Sequence, residues 1–152
     1  MKNFFVSLFG HREIEDLWQM EDSLIPIIKE LIQTKQFVTF LIGRNGEFDE
    51  YAASVIKRVQ KEMGNENSQI TLVLPYPTAK LSYYEAYYDD IILPEKIEGL
   101  HPKLAITARN QWMVTQSALV LAYLEHNRGG AYRAVKYAKA QNKRIIYLSK
   151  AF

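Results

Sequence analysis

Cysteine is absent from the 152 residues. That absence excludes disulfides, thiolate metal sites and a cysteine nucleophile, and it agrees with a reducing, cytoplasmic setting. The three histidines, His11, His101 and His126, show none of the spacings that metal sites use, so no metal is expected. No cofactor is expected either. A Gly-x-Ser-x-Gly elbow is missing, which removes the commonest serine-hydrolase signature. No apolar run reaches the ~18–20 residues of a membrane span, so no membrane partner is expected. The opening residues pass from a short apolar run into Gly10-His11-Arg12 without a small-residue cleavage site, and do not read as a signal peptide. Charge of one sign is scarce as well: 19 Lys and Arg stand against 17 Asp and Glu, for a formal net charge of +2. So weak a balance offers no electrostatic argument for nucleic acid, which ranks low among the expected partners.

What is present fits one α/β domain over residues 1–152. Residues 4–9 (FFVSLF), 37–42 (FVTFLI), 70–74 (ITLVL), 90–93, 118–123 (ALVLAY) and 144–148 (RIIYL) read as strands. Between them lie helical stretches: 13–34, 49–63, the tyrosine-rich 81–88, 103–116, and a last one opening at Gly130 and running to Gln141. In the first, Ser23 is the expected N-cap, so that Pro26 falls in the first turn, where its missing donor costs little. In the second, Asp49 is the expected N-cap. Near-continuous apolar strands separated by helices predict a mainly parallel, Rossmann-like sheet between two helical layers.

Ligands of open α/β sheets bind outside the carboxyl ends of the strands, so the loops there hold the candidate site. Gly10-His11-Arg12 follows the first strand; glycine permits close approach, Arg12 suits bidentate phosphate pairing, and His11 suits hydrogen bonding or proton transfer. The segment Gly43-Arg44-Asn45-Gly46-Glu47-Phe48-Asp49 follows the second strand and is expected to aim backbone amides at an anion. It is neither a Walker loop nor a GxGxxG fingerprint. Its carboxylates, Glu47 and Asp49, repel anions and are, with His11, the candidate catalytic groups. Gly129-Gly130-Ala131 opens the last long helix and is the strongest expected phosphate cradle. Arg109 and Asn110 lie on the helix before the fifth strand, with Trp112 and Met113 read as core. Tyr83, Tyr84, Tyr87 and Tyr88 form a cluster read mainly as half-buried packing, with base stacking or subunit contacts in a homo-oligomer as the alternatives. The basic C-terminal stretch (Arg128, Arg133, Lys136, Lys139, Lys143, Arg144 and Lys150) reads as a solvated helix face.

These loops, in this order and with the block from 108 to 148 that begins ARNQWMVTQS, resemble the SLOG superfamily of Rossmann-like proteins, which includes DNA-processing protein A and the Lonely Guy phosphoribohydrolases. The similarity is greatest to small bacterial members. It implies a nucleotide-like ligand at Gly10, His11, Arg12, Gly43, Gly46, Asp49, Arg109, Asn110, Gly129 and Gly130. There are departures. Ala131 stands where the family usually has Thr, and Thr115 and Ala118 stand where an acidic residue is often seen. The Lonely Guy Pro-Gly-Gly-x-Gly-Thr-x-x-Glu motif is absent, which argues against that N-glycosidic chemistry. The leading expectation is therefore a cytoplasmic module that binds or senses a nucleotide-like small molecule. A nucleotide-processing hydrolase or transferase ranks second, single-stranded nucleic-acid binding third, and whether any reaction is catalysed stays open.

Overall fold

Apolar, β-branched stretches alternate with amphipathic ones along the chain. The computed structural model, which describes residues 2–150, turns them into strands and helices. The strands are β1 (Asn3–Gly10), β2 (Phe37–Ile42), β3 (Ser68–Val73), β4 (Asp90–Ile92), β5 (Leu119–Tyr123) and β6 (Arg144–Tyr147). The helices are α1 (Leu17–Thr34), α2 (Glu47–Met63), α3 (Leu81–Tyr87), α4 (Pro102–Gln116) and α5 (Gly130–Ala140), with a 3₁₀ turn at Glu95–Ile97. Among the described residues, the strands form one parallel sheet in the order β4-β3-β2-β1-β5-β6. Residues 1, 151 and 152 of the expected domain lie outside the described residues.

The period-two alternation of a strand explains why the sheet is buried on both faces. On β1, Val6 and Leu8 point to one side with Leu119, Leu121 and Tyr123 of β5, where α1 and α2 cover them. Phe9 and, from β5, Val120 and Ala122 point to the other side, against Met113 and Val114 of α4 and Ala134, Val135 and Ala138 of α5. Each large apolar side chain sealed in this way contributes about 1.5–3 kcal/mol. Ser7 and Ser117 are buried polar exceptions. Both hydroxyls donate to the Met113 carbonyl, at 2.9 and 2.8 Å, and tie the end of α4 to β1.

Two helix starts differ from the sequence reading. α1 is capped by Asp16, whose carboxylate accepts from the Gln19 amide at 3.0 Å, so Pro26 lies in mid-helix. Pro26 is exposed, so the carbonyl left without its usual donor lies on the solvent side and the cost is tolerated. Ser23 is no cap; it accepts from the Gln19 side-chain amide at 2.7 Å. α2 begins at Glu47 with Gly46 at the cap, and Asp49 reaches back to the Asn45 amide at 2.9 Å. Asp49 thus sits in the first turn and holds the residue before the cap, rather than being the cap itself.

The chain builds β1 to β4 in one direction, then crosses back and places β5 on the far side of β1. The strand order therefore reverses between β1 and β5, and the crevice of an open α/β sheet opens at such a point. Among the described residues, no helix is long and apolar enough to cross a membrane.

Candidate functional site

A cleft of about 750 Å³ opens at this reversal, within the usual size of a small-molecule site. Residues from all three glycine-bearing loops line it: Gly10, His11 and Arg12 after β1, Asn45 and Asp49 after β2, and Gly129, Gly130 and Ala131 at the start of α5. Arg109 and Asn110 form part of its wall from α4. Four cationic side chains, Arg12, Lys103, Arg109 and Arg133, face two carboxylates, Glu13 and Asp49. Gly129 caps α5 with φ +93°, a conformation that L side chains rarely adopt. No side chain caps the first turn of α5, which leaves its amides and the positive end of the helix dipole for an anion.

The second loop does something other than the sequence reading expects. Three of its amides are taken by the protein itself. The Glu47 and Phe48 amides donate to the Arg12 and His11 carbonyls at 2.8 and 3.4 Å. The Asn45 amide goes to Asp49. Gly43, Arg44, Gly46 and Glu47 are not among the cleft-lining residues. Gly43 is buried, and a Cβ there would lie 2.8 Å from the Arg109 guanidinium; at Gly46 it would run into the Arg12 Cα. The loop thus buttresses the first loop, and Glu47 is withdrawn as a catalytic candidate because it sits outside the cleft.

Arg109 organises the floor. It is 3% exposed and donates to Asn110 Oδ1 at 2.9 Å, the Val73 carbonyl at 3.0 Å and Asn45 Oδ1 at 2.6 Å. Burial pulls its pKa below the ordinary arginine value, opposed by the charge of Asp49 and by Tyr76. Burial likewise pushes the Asp49 carboxyl up, opposed by the Asn45 amide and Arg109.

His11 is an acceptor. Its Nε2 takes the amides of Glu125 at 3.0 Å and His126 at 3.4 Å, and its ring stacks on His126 with centroids 3.8 Å apart. Burial, then the charges of His126 and Arg128, lower its pKa to about 4. A proton on Nε2 would break both backbone bonds. His11 is therefore a neutral clamp between the β1 and β5 loops, in place of the expected proton shuttle.

Sequence reasoning missed Lys103 and Thr107 of α4, and it placed Arg133 on a solvated helix face; all three line the cleft. Arg133 stands three residues after Gly130, one turn into α5, and that spacing was the available signal. The tyrosines surround Arg44, whose guanidinium lies 5.7, 5.2 and 5.9 Å from the rings of Tyr83, Tyr84 and Tyr87. Arg44 also donates to the Tyr88 hydroxyl at 3.0 Å and pairs with Glu50 at 3.2 Å.

No protein-family model matches the sequence, and no curated protein matches it. Solved structures do. The chain shares its fold with DNA processing protein A. The Streptococcus pneumoniae protein superposes with a TM-score of 0.66 at 17% identity, over 95% of this chain and 50% of that one. The Helicobacter pylori protein, whose structure describes a single-stranded DNA binding mode, gives a TM-score of 0.64 at 16% identity, over 95% of this chain and 64% of that one. This chain thus spans between half and just under two thirds of these neighbours. The likeness establishes the Rossmann-like fold and nothing beyond it. It also corrects the low rank given to nucleic acid. A protein of this fold binds single-stranded DNA, and net charge over a whole chain does not report the charge of one cleft.

Proposed function

We propose that the cleft binds single-stranded DNA through one nucleotide unit, with the phosphate at the start of α5 and the sugar and base along α4. The observation that carries this reading is the convergence of the uncapped α5 N-terminus with Arg12, Lys103 and Arg133 in one cleft at the strand reversal. Cationic side chains and free amides supply the backbone contacts that dominate single-strand affinity. Leu104 and Ile106 supply an apolar wall beside them. The single-stranded DNA binding of a neighbour with the same fold favours a polynucleotide over a free nucleotide as the ligand. A labelled oligothymidylate tests it: affinity is expected to fall linearly on a logarithmic salt scale. Absence of any anisotropy change at low salt overturns the reading.

A second reading, that the cleft also processes a bound nucleotide, has one observation in its favour. Asp49 lines the cleft with its pKa raised by burial, as a general acid requires. Release of free base or sugar phosphate, abolished by Asp49→Asn, is its test; an unchanged nucleotide after prolonged incubation refutes it.

A further inference from the structure

The cleft does not end at Arg109. A second cavity of about 120 Å³ lies beside it, and Asn45 and Arg109 line both. Arg44, Tyr76, Thr78 and Tyr84 supply other parts of its wall. A third cavity, of about 570 Å³, shares Leu74 and Thr78 with the second. The first two adjoin at the carboxyl edge of the sheet, from the β1–β5 reversal past β2 to β3; the third begins there at Leu74 and Leu93 and runs back along β4 to Asp89 and Asp90 at its amino end.

Charge changes sign from the second cavity to the third. The second cavity is lined by two arginines and by no carboxylate. The third is lined by Glu85, Asp89 and Asp90 and by no lysine or arginine. Aromatic faces gather at the second cavity. Tyr76 is 40% exposed and lines the second cavity with Tyr84, while Tyr83 is 60% exposed with its ring beside Arg44. Sites for single strands combine these two elements, a cationic track and aromatic faces on which bases stack. The Tyr88 hydroxyl and Glu50 hold the Arg44 guanidinium in place beforehand, so little ordering cost remains when a strand arrives.

We infer that the second cavity is a base-stacking subsite for the neighbouring nucleotide of a strand held in the large cleft. The inference rests on the single-stranded DNA reading above and gives it a direction: the strand runs from α5 over Arg109 and Asn45 onto Tyr76.

Anisotropy with a labelled oligothymidylate of about 12 nucleotides, within known single-strand site sizes, and calorimetry with free 5′-thymidylate separate the two subsites. Tyr76→Ala is expected to weaken the oligonucleotide roughly 5- to 150-fold, the range of one lost base stack, and to leave 5′-thymidylate binding unchanged. Tyr76→Phe, which keeps the aromatic face, is expected to behave as the native chain. Tyr51→Ala, at an exposed tyrosine of α2 that lines none of the three cavities, is expected to change nothing. Native-like oligonucleotide affinity in Tyr76→Ala overturns the subsite while leaving the cleft reading intact. An equal loss for 5′-thymidylate also overturns it, since the ring would then belong to the first position. A native chain that does not bind the oligonucleotide overturns both readings.

Discussion

Two arginines at the carboxyl edge of the sheet live in opposite surroundings. Arg109, under the floor of the cleft, is 3% exposed and gives each of its three nitrogens to a protein oxygen. Arg44, in the tyrosine cluster, is part-exposed; its one ion pair is to a largely exposed Glu50, and its remaining contacts are ring faces and a hydroxyl. Both stand where a sequence reading places phosphate-binding cations. The difference shows that a cation at a strand end is a ligand group only to the extent that the protein has not already consumed its donors. Arg109 shapes the site; Arg44, Arg12, Lys103 and Arg133 are the cations with capacity left to meet a ligand.

The sharpest way to break this contrast is to remove Arg109. Arg109→Met leaves the Val73 carbonyl, Asn45 Oδ1 and Asn110 Oδ1 without their donor and removes the positive charge beside Asp49. Each buried acceptor left unsatisfied costs about 1–3 kcal/mol, so the urea midpoint is expected to fall steeply. A midpoint within experimental error of the native one would show that Arg109 does not hold the floor. Next comes His11. Its pKa is lowered from 6.5 to about 4 in the folded chain, so between those values the unfolded chain binds the extra proton. Its contribution is fully present above pH 6.5 and is lost as pH falls toward 4, by up to about 3 kcal/mol. His11→Gln keeps an acceptor but does not titrate. Its stability deficit relative to the native chain is expected to shrink as the pH is lowered through that window, and parallel stability–pH curves would sink the clamp.

Arg12 tests the other side of the contrast. It is exposed and lines the cleft. Arg12→Ala is expected to weaken oligothymidylate by about 1.5–3 kcal/mol, the scale of a charge-assisted hydrogen bond, with the melting temperature unmoved. Unchanged affinity would remove Arg12 from the site.

Much of this was legible in the sequence because it is local. The apolar runs named six strands, and glycines after β1, after β2 and before α5 named the loops that meet at the reversal. The parts not legible depend on pairings between distant segments. Nothing near Glu47 and Phe48 announces that their amides are taken by the carbonyls of Arg12 and His11, so that loop reads as an anion nest when it is a buttress. Lys103 and Thr107 enter the cleft because the chain crosses from β4 to β5 over one end of the sheet, and helical spacing carries no trace of that crossing. Pro26 misled in the opposite way. A residue that usually marks a helix start sits in mid-helix because its side of α1 is exposed.

The smallest expected effect is the most discriminating between the two arginines. Arg44→Met removes a part-exposed ion pair and cation–π contacts. Each is worth about 1 kcal/mol or less, so the urea midpoint is expected to move slightly where that of Arg109→Met collapses. The same substitution removes one positive charge from the second cavity. If that charge meets a phosphate, the logarithmic salt slope of oligothymidylate binding shallows by about 0.7, the value for one contact with a single strand. Stability nearly intact with a shallower slope assigns Arg44 to the ligand. A steep loss of stability with an unchanged slope would reverse the assignment and make Arg44 the second structural arginine of the sheet edge.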